Sequence, residues 1–314
     1  MKRSIAIALA ALAATASGAL AQETFKATVG QRGNWDTAMF EIGTRAGIFQ
    51  KHGIAVEVLY TQGSGETLQP VITGAVDFGV AVGVAGALGA YIKGAPIKII
   101  GAQATGAADY WYARADSIIK TLADTKDKTI AYSTNGSSTH SIVLAFIRQY
   151  GLTAKPTATG GTTATLTAVM TGQVDVGWSS PPFGLKEIAE GKIRIIARGN
   201  DAPAVRNTTV RLVVANADAL AKRPDAFAKL MRAYRETVEF MYSSDEALKL
   251  YAAFAGISEA TARRVRDEFF PKSILIPDEI KGLEASMEAA IASRAIAAPL
   301  TPAQVADLIK IPPK

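Results

Sequence analysis

The sequence predicts an α/β protein built as two similar lobes, each a mostly parallel sheet flanked by helices. Three observations carry that expectation. The chain has 314 residues, 49% of them hydrophobic, which is more than one compact core ordinarily gathers. Strand-like and helix-like segments alternate across short loops, the grammar of parallel sheets. The pattern Thr-Gly-x-Val-Asp-x-Gly occurs twice, at Thr73 to Gly79 and Thr171 to Gly177, 98 residues apart and each time between a helix and a short strand.

The N-terminus has its own character. Lys2 and Arg3 precede an apolar stretch from Ile5 to Ala16, and Ala19-Leu20-Ala21 stands before Gln22. Residues 1–21 are therefore expected to be an export signal. The apolar run is interrupted by Thr15, Ser17 and Gly18 and falls short of the roughly 20 residues a membrane span needs. With no cysteine in the chain, a lipid on an N-terminal cysteine is excluded. A freely exported, periplasmic protein is the expectation.

The first lobe follows. Phe25 to Val29 reads as a strand, Gly30 to Trp35 as a polar loop, and Asp36 to Ala46 as a helix with Asp36 as its N-cap, ended by Gly47. Ile54 to Tyr60 alternates as a second strand. Gln62-Gly63-Ser64-Gly65 opens a helix to Ile72, and Val76 to Val80 and Ile97 to Ala102 read as strands. The apolar stretch Val80 to Ile92 carries Gly83, Gly86 and Gly89, so a buried turn and helix explain it better than a membrane span.

The same order restarts in the second lobe. Thr129 to Tyr132 is a strand, Asn135 to Ser138 a loop, and His140 to Tyr150 a helix stopped by Gly151. Thr157 to Gly161 leads to a helix over Ala164 to Met170, with strands at Val174 to Trp178 and Ile193 to Ala197. After a strand at Arg211 to Ala215 the chain turns helical: Ala219 to Tyr242, Glu246 to Ala255, Ser258 to Phe269, Pro277 to Ser293 with Asp278 and Glu279 in its first turn, and a short helix from Thr301-Pro302.

Composition removes several functions. Without cysteine there are no disulfides, thiolate metal sites or cysteine nucleophiles, and two histidines, His52 and His140, exclude histidine-rich metal centres; no metal and no cofactor are expected. The formal charge of +6, from 34 basic and 28 acidic residues, falls to 32 against 28 once Lys2 and Arg3 leave with the signal. The remaining cations are interspersed with acids, as Arg263, Arg264 and Arg266 are with Glu259, Asp267 and Glu268. Nucleic acid is not the expected partner, because that needs clustered cations.

Candidate contacts lie in the strand-to-helix loops. In Asn135-Gly136-Ser137-Ser138, with His140 in the helix that follows, first-turn N–H groups and hydroxyls suit an anion, while an ordinary N-cap explains the same residues. Gly63 and Ser64 in lobe one, with Gly83, and Gly161 and Thr162 in lobe two occupy comparable loops, as binding elements or as tight turns. Arg32, Asn34 and Trp35 sit in the first loop: Arg32 to pair with an oxyanion or stay solvated, Trp35 to stack on a ligand or plug the lobe. Tyr110 and Trp111 could wall an apolar ligand or face a core, and Ser179 and Ser180 follow the second repeat. Asp77 and Asp175, within the repeats, read as structural turn ties.

Taken together, these segments resemble a known family. Ala46-Gly47-Ile48-Phe49-Gln50-Lys51-His52-Gly53-Ile54-Ala55-Val56, the two repeats, Gly94-Ala95-Pro96-Ile97-Lys98, Leu122-Ala123-Asp124 ahead of Lys128-Thr129-Ile130-Ala131, and Gly172-Gln173-Val174-Asp175 ahead of Pro181-Pro182 follow the order seen in periplasmic solute-binding proteins of ABC importers. The likeness is to the sulfonate, taurine and nitrate binders, and also to thiamine-pyrimidine precursor binders. It implies the type II binding-protein fold, with lobe one over 22–113, lobe two over 114–211, and a return to lobe one with C-terminal helices over 212–314. It implies two hinge crossings, near Tyr112 to Arg114 and Arg211 to Ala215. It further implies a monomer that captures a small organic anion in the interlobe cleft and delivers it to a membrane permease. An enzyme on the same scaffold, with His140 as its one available histidine, and an exported ligand sensor are the alternatives.

Overall fold

The computed structural model describes residues 22–314; the export signal expected over 1–21 lies outside the described residues. The chain runs β1 (Glu23–Gly30), α1 (Met39–Arg45), α2 (Ile48–Lys51), β2 (Ile54–Thr61), α3 (Ser64–Ile72), β3 (Phe78–Gly83), α4 (Val84–Ile92) and β4 (Ile97–Thr105). It continues as β5 (Tyr110–Arg114), β6 (Thr129–Tyr132), α5 (Ser138–Tyr150), β7 (Lys155–Ala158), α6 (Thr162–Met170), β8 (Val176–Ser179), α7 (Leu185–Ala189), β9 (Ile193–Arg198) and α8 (Pro203–Arg206). It then returns as β10 (Thr209–Asn216), followed by α9 (Ala217–Lys222), α10 (Pro224–Ser243), α11 (Asp245–Ala255), α12 (Glu259–Phe269), α13 (Leu283–Ala292) and α14 (Pro302–Leu308).

These strands form two five-stranded sheets, ordered β2-β1-β3-β10-β4 and β7-β6-β8-β5-β9. Each is parallel except for one strand: β10 runs antiparallel to β3 and β4, and β5 antiparallel to β8 and β9. The expected pair of α/β lobes is therefore present. Each contains a single reversed strand, next to where the chain changes sheet.

Both sheet changes fall earlier than expected. The chain leaves the first sheet between Thr105 and Tyr110, and β5, expected to end lobe one at 113, belongs wholly to the second sheet. It returns between Arg206 and Thr209, ahead of residue 211. The two crossings are tied to each other: Gly106 N–H donates to Thr208 O at 2.9 Å, and the Thr105 and Thr209 hydroxyls lie 3.0 Å apart. Gly106 has φ +78°, the left-handed region that glycine enters without penalty.

The repeated motif does the same work in both lobes. Gly74 and Gly172, at φ +71° and +76°, follow α3 and α6. The next N–H closes a Schellman turn, Ala75 to Pro70 O at 2.9 Å and Gln173 to Ala168 O at 2.8 Å. The aspartate then fastens the neighbouring parallel strand: Asp77 accepts Lys26 N–H of β1 at 2.8 Å, and Asp175 accepts Thr129 N–H of β6 at 2.9 Å. The last glycine gives room for close packing, Gly79 against Val71 and Thr67, Gly177 against the Tyr112 ring.

The C-terminal helices cover the first sheet. Phe25 of β1 meets Phe78 and Phe227 with ring centroids 5.9 and 4.8 Å apart, all three fully buried. Each such ring contributes roughly 1.5–3 kcal/mol by burial. Helix α12 also reaches the second sheet, where Phe269 lies 6.3 Å from Tyr110 and under Arg198.

Local expectations fail where tertiary contacts outweigh sequence pattern. The first helix starts at Met39 with Ala38 as N-cap, because Asp36 is fully buried in an ion pair. The expected helix over 219–242 is two, α9 and α10, broken at Arg223 before Pro224. Residues 277–281 form a turn and an irregular segment rather than a helix: Pro277 O accepts Ala102 N–H and Lys281 O accepts Thr209 N–H. Among the described residues no helix is long and apolar enough to cross a membrane.

Candidate functional site

A narrow space, partly open to solvent, lies between the sheets. Lobe one contributes the β1 end and its loop (Gly30, Gln31, Asn34, Thr37), the α3 start (Gln62, Gly63, Ser64), Ala81 and Arg211. Lobe two contributes Ser133, Ser137, Ser138 and Thr139 at the α5 start, with Trp178 of β8. These are loops at the carboxyl ends of parallel strands, where α/β sheets place their ligands.

The lobes engage one another around this space. Gln31 Nε2 donates to Thr162 Oγ1 at 3.0 Å, Gly86 N–H to Gly136 O at 3.1 Å, and Gly65 N–H to Thr134 Oγ1 at 3.4 Å. A Cβ on Gly83 would strike the Gly136 and Ser137 backbone, so glycine at 83 permits the approach.

At the cavity wall Arg211 is enclosed by acids. Its Nη1 donates to Asp36 Oδ2 at 2.7 Å, its Nη2 to both oxygens of Asp109 at 2.6 and 2.5 Å, and its Nε to Ser138 Oγ at 3.1 Å. Asp36 also accepts from Gln103 Nε2 at 2.9 Å. Irregular pairing creates this cluster. The β10 register shifts on both flanks, leaving Ala81, Gln103 and Val210 without opposite partners, and such bulges re-aim side chains. Ala81 adopts φ +68° and Gln31 φ +54°, left-handed conformations uncommon outside glycine that concentrate at functional sites.

Burial pushes the Asp109 carboxyl above its ordinary value against the pull of Arg211. Burial would lower the Arg211 guanidinium, but Asp109 and Asp36 outweigh it and hold it higher. The guanidinium is thus committed to two carboxylates and offers no free bidentate face to a ligand.

What the cavity does present is a mixed set, donors from helix ends and hydroxyls beside the unpartnered amide oxygens of Asn34 and Gln31. The first-turn N–H groups of α3 and α5 have no intrahelical acceptor, and both helices direct their positive ends at it. Trp178 is 4% exposed and its Nε1 has no partner; Asn34 is 2% exposed and its Oδ1 has none. Hydroxyls of Ser137 and Thr139 lie 3.0 Å apart at the same wall. Such a set suits a ligand with one compact oxyanionic group and neighbouring donor positions.

Of the residues singled out in the sequence, Asn34, Gly63, Ser64, Ser137 and Ser138 line the cavity. Gly83 supports it, its N–H donating to Ser64 Oγ at 2.8 Å. Gly161 and Thr162 stand at the seam against Gln62 and Gln31. Asn135, Gly136 and His140 line a separate groove along the outer edge of the seam, where His140 stacks on Tyr132 at 4.3 Å and burial lowers its imidazole below the usual value.

Six other positions lie elsewhere. Arg32 is exposed and rests over the Phe254 ring at 4.3 Å, off the cavity wall. Trp35 is a core plug, fully buried between Tyr242 and Tyr251 with its Nε1 on Tyr242 Oη at 3.0 Å. Tyr110 donates to Phe183 O, and Trp111 to Ala131 O at 2.9 Å while its ring meets Phe146 edge-on. They face the lobe-two core because β5 is a central strand rather than a crossing. Ser179 also donates to Phe183 O, at 2.9 Å. Ser180 is buried beside it with an unpartnered hydroxyl, off the cavity wall.

Sequence reasoning passed over Gln31, Thr37, Ala81 and Arg211. Only Arg211 left a signal: a lone arginine between Val210 and Leu212 in an otherwise apolar strand demands a buried counter-charge.

Comparison with known proteins agrees with this fold. The family model described as NMT1/THI5 like matches residues 34–247, more than half of the chain, and the chain belongs to that family. No curated protein sequence matches. Among solved structures, the alkanesulfonate-binding protein SsuA from Xanthomonas axonopodis pv. citri, bound to MOPS, is 19% identical, with 92% of this chain and 99% of that one covered at a TM-score of 0.76. The periplasmic nitrate-binding protein NrtA from Synechocystis PCC 6803 is 13% identical, with 91% and 84% covered at 0.69. The desulfurization enzyme DSZB is 14% identical, with 92% and 96% covered at 0.65. At these identities the likeness establishes a shared fold.

Proposed function

We propose that this member of the NMT1/THI5-like family is the periplasmic substrate-binding component of an ABC importer. It captures a small organic anion between its lobes and presents the closed form to a membrane permease. The observation that carries this reading is the interlobe cavity, lined by the starts of two helices and by Trp178, whose buried N–H has no partner. Donors placed there at folding need no reorganisation when an oxyanion arrives, and the helix ends favour negative charge.

Arg211 shapes the specificity indirectly. One guanidinium between two carboxylates gives the cavity wall no surplus positive charge, so capture rests on oriented N–H and hydroxyl groups. A monoanionic head such as a sulfonate, carboxylate or nitrate fits that field better than a dianion, which would face Asp36 and Asp109 without a free cation.

Calorimetric titration with methanesulfonate, benzoate and nitrate, alongside sulfate and phosphate, tests this reading. One-to-one binding of a monoanion, with the solute recovered unaltered, is expected. Turnover of the added solute, or tighter binding of the dianions, would overturn it.

A further inference from the structure

We infer that the loop between β1 and α1 is the selectivity element of the cleft, favouring small monoanions that carry a neutral hydroxyl or amide N–H over their alkyl counterparts. The inference rests on the capture of a monoanion proposed above. It adds which part of the solute each stretch of wall reads.

The acceptors come from this one loop. Gln31, Asn34 and Thr37 all line the space. The amide oxygens of Gln31 and Asn34 are buried with no partner among the described residues. The single hydroxyl proton of Thr37 is committed to the loop's own carbonyls, Gln31 O at 2.6 Å and Asn34 O at 3.3 Å, so its remaining lone pairs only accept. The loop is held in place. Gln31 N–H donates to Thr61 O at 2.8 Å, and its Nε2 donates to Thr162 Oγ1 at 3.0 Å across the seam. With Nε2 so engaged, Oε1 is the free end of that amide.

The donors come from elsewhere on the wall. Trp178 Nε1 is unpartnered. Ser64 and Ser138 each receive an N–H at Oγ, from Gly83 N at 2.8 Å and Arg211 Nε at 3.1 Å, which leaves both hydroxyl protons for a ligand. These groups suit the anionic head. An alkyl solute would satisfy them and leave the loop's acceptors buried without a partner. A solute with its own hydroxyl satisfies both sets. Asp36 and Asp109 lie off the lining and are bound to Arg211. No carboxylate on the wall therefore meets an ammonium group, and a neutral donor is the better match.

Two isosteric pairs test this by calorimetry on the full chain: glycolate against propionate, and 2-hydroxyethanesulfonate against 1-propanesulfonate. Within each pair a hydroxyl stands where the other member has a methyl group. The hydroxylated member of at least one pair should bind roughly tenfold tighter, the worth of satisfying one buried acceptor. The amine 2-aminoethanesulfonate should bind more weakly than 2-hydroxyethanesulfonate. Asn34→Leu and Gln31→Met keep side-chain volume and remove an amide, and each should shrink the preference. Trp178→Phe removes a donor for the anionic head, so it should weaken both members of a pair and keep their ratio. Equal affinity within both pairs, a preference untouched by both loop variants, or tighter binding of the amine would overturn the inference while solute capture stands. Absence of binding by every probe would overturn both.

Discussion

Trp178 and Arg211 stand at the same wall and play opposite parts. The indole N–H of Trp178 is buried without a partner, a loss that folding tolerates where a ligand completes the bond. Replacing it with phenylalanine keeps the packing and removes the donor. Trp178→Phe should weaken binding of a monoanionic solute by about 1.5–3 kcal/mol, the range for hydrogen bonds to charged groups, as read by calorimetry. Arg32→Ala should leave that affinity unchanged, since its guanidinium lies over Phe254 on the exterior. Arg211 acts on stability instead. Arg211→Met would leave Asp36 and Asp109 buried without a counter-charge, and a loss of about 3–5 kcal/mol is expected in chemical denaturation. Arg211→Met combined with Asp109→Asn should recover part of it.

The strand, helix and loop order was legible because each unit announces itself locally. The repeated Thr-Gly-x-Val-Asp-x-Gly is the clearest case: glycine stops a helix, aspartate fastens a strand, and the last glycine admits a close neighbour, in both lobes alike. Gly172 has φ +76° and nothing within 4 Å of where a Cβ would stand. Gly172→Ala should therefore cost about 1 kcal/mol through backbone conformation alone, measurable as a lowered Tm. Less legible were features set by distant pairing. Tyr110 and Trp111 carry no mark of a central strand, because their antiparallel partners on β8 and β9 lie 67 to 88 residues later. Nor does the sequence around Ala81 or Gln103 show that the register slips there and gathers Arg211 against Asp36. The hydroxyl-rich start of α5 was readable as a candidate site; Arg32 was not readable as an exterior residue, since loop membership says nothing about which side of a loop faces the cleft.

Across the whole molecule the two crossings and the seam decide behaviour. Gly106 and the Thr105 to Thr209 contact tie the crossings at the base, while Gln31, Gly65 and Gly86 reach across to lobe two. Hinged closure about such paired crossings is a familiar motion around bound solutes. His140, stacked beside the seam, adds a pH dependence. Its imidazole titrates below the usual 6.5 because burial disfavours the charged form, so the unfolded chain binds the proton more readily. Stability is full above the unfolded value and falls as pH drops below it towards the folded value. His140→Gln should flatten that acid-side decline in pH-dependent melting curves.

Native mass spectrometry of the full chain, incubated with an equimolar mixture of small sulfonates, carboxylates and nitrate, tests solute capture in the interlobe cleft most directly. One added monoanion should be retained per chain at its original mass, with occupancy sharply reduced in Trp178→Phe. Retention of a species whose mass matches none of the added solutes, or equal retention by Trp178→Phe, would contradict it.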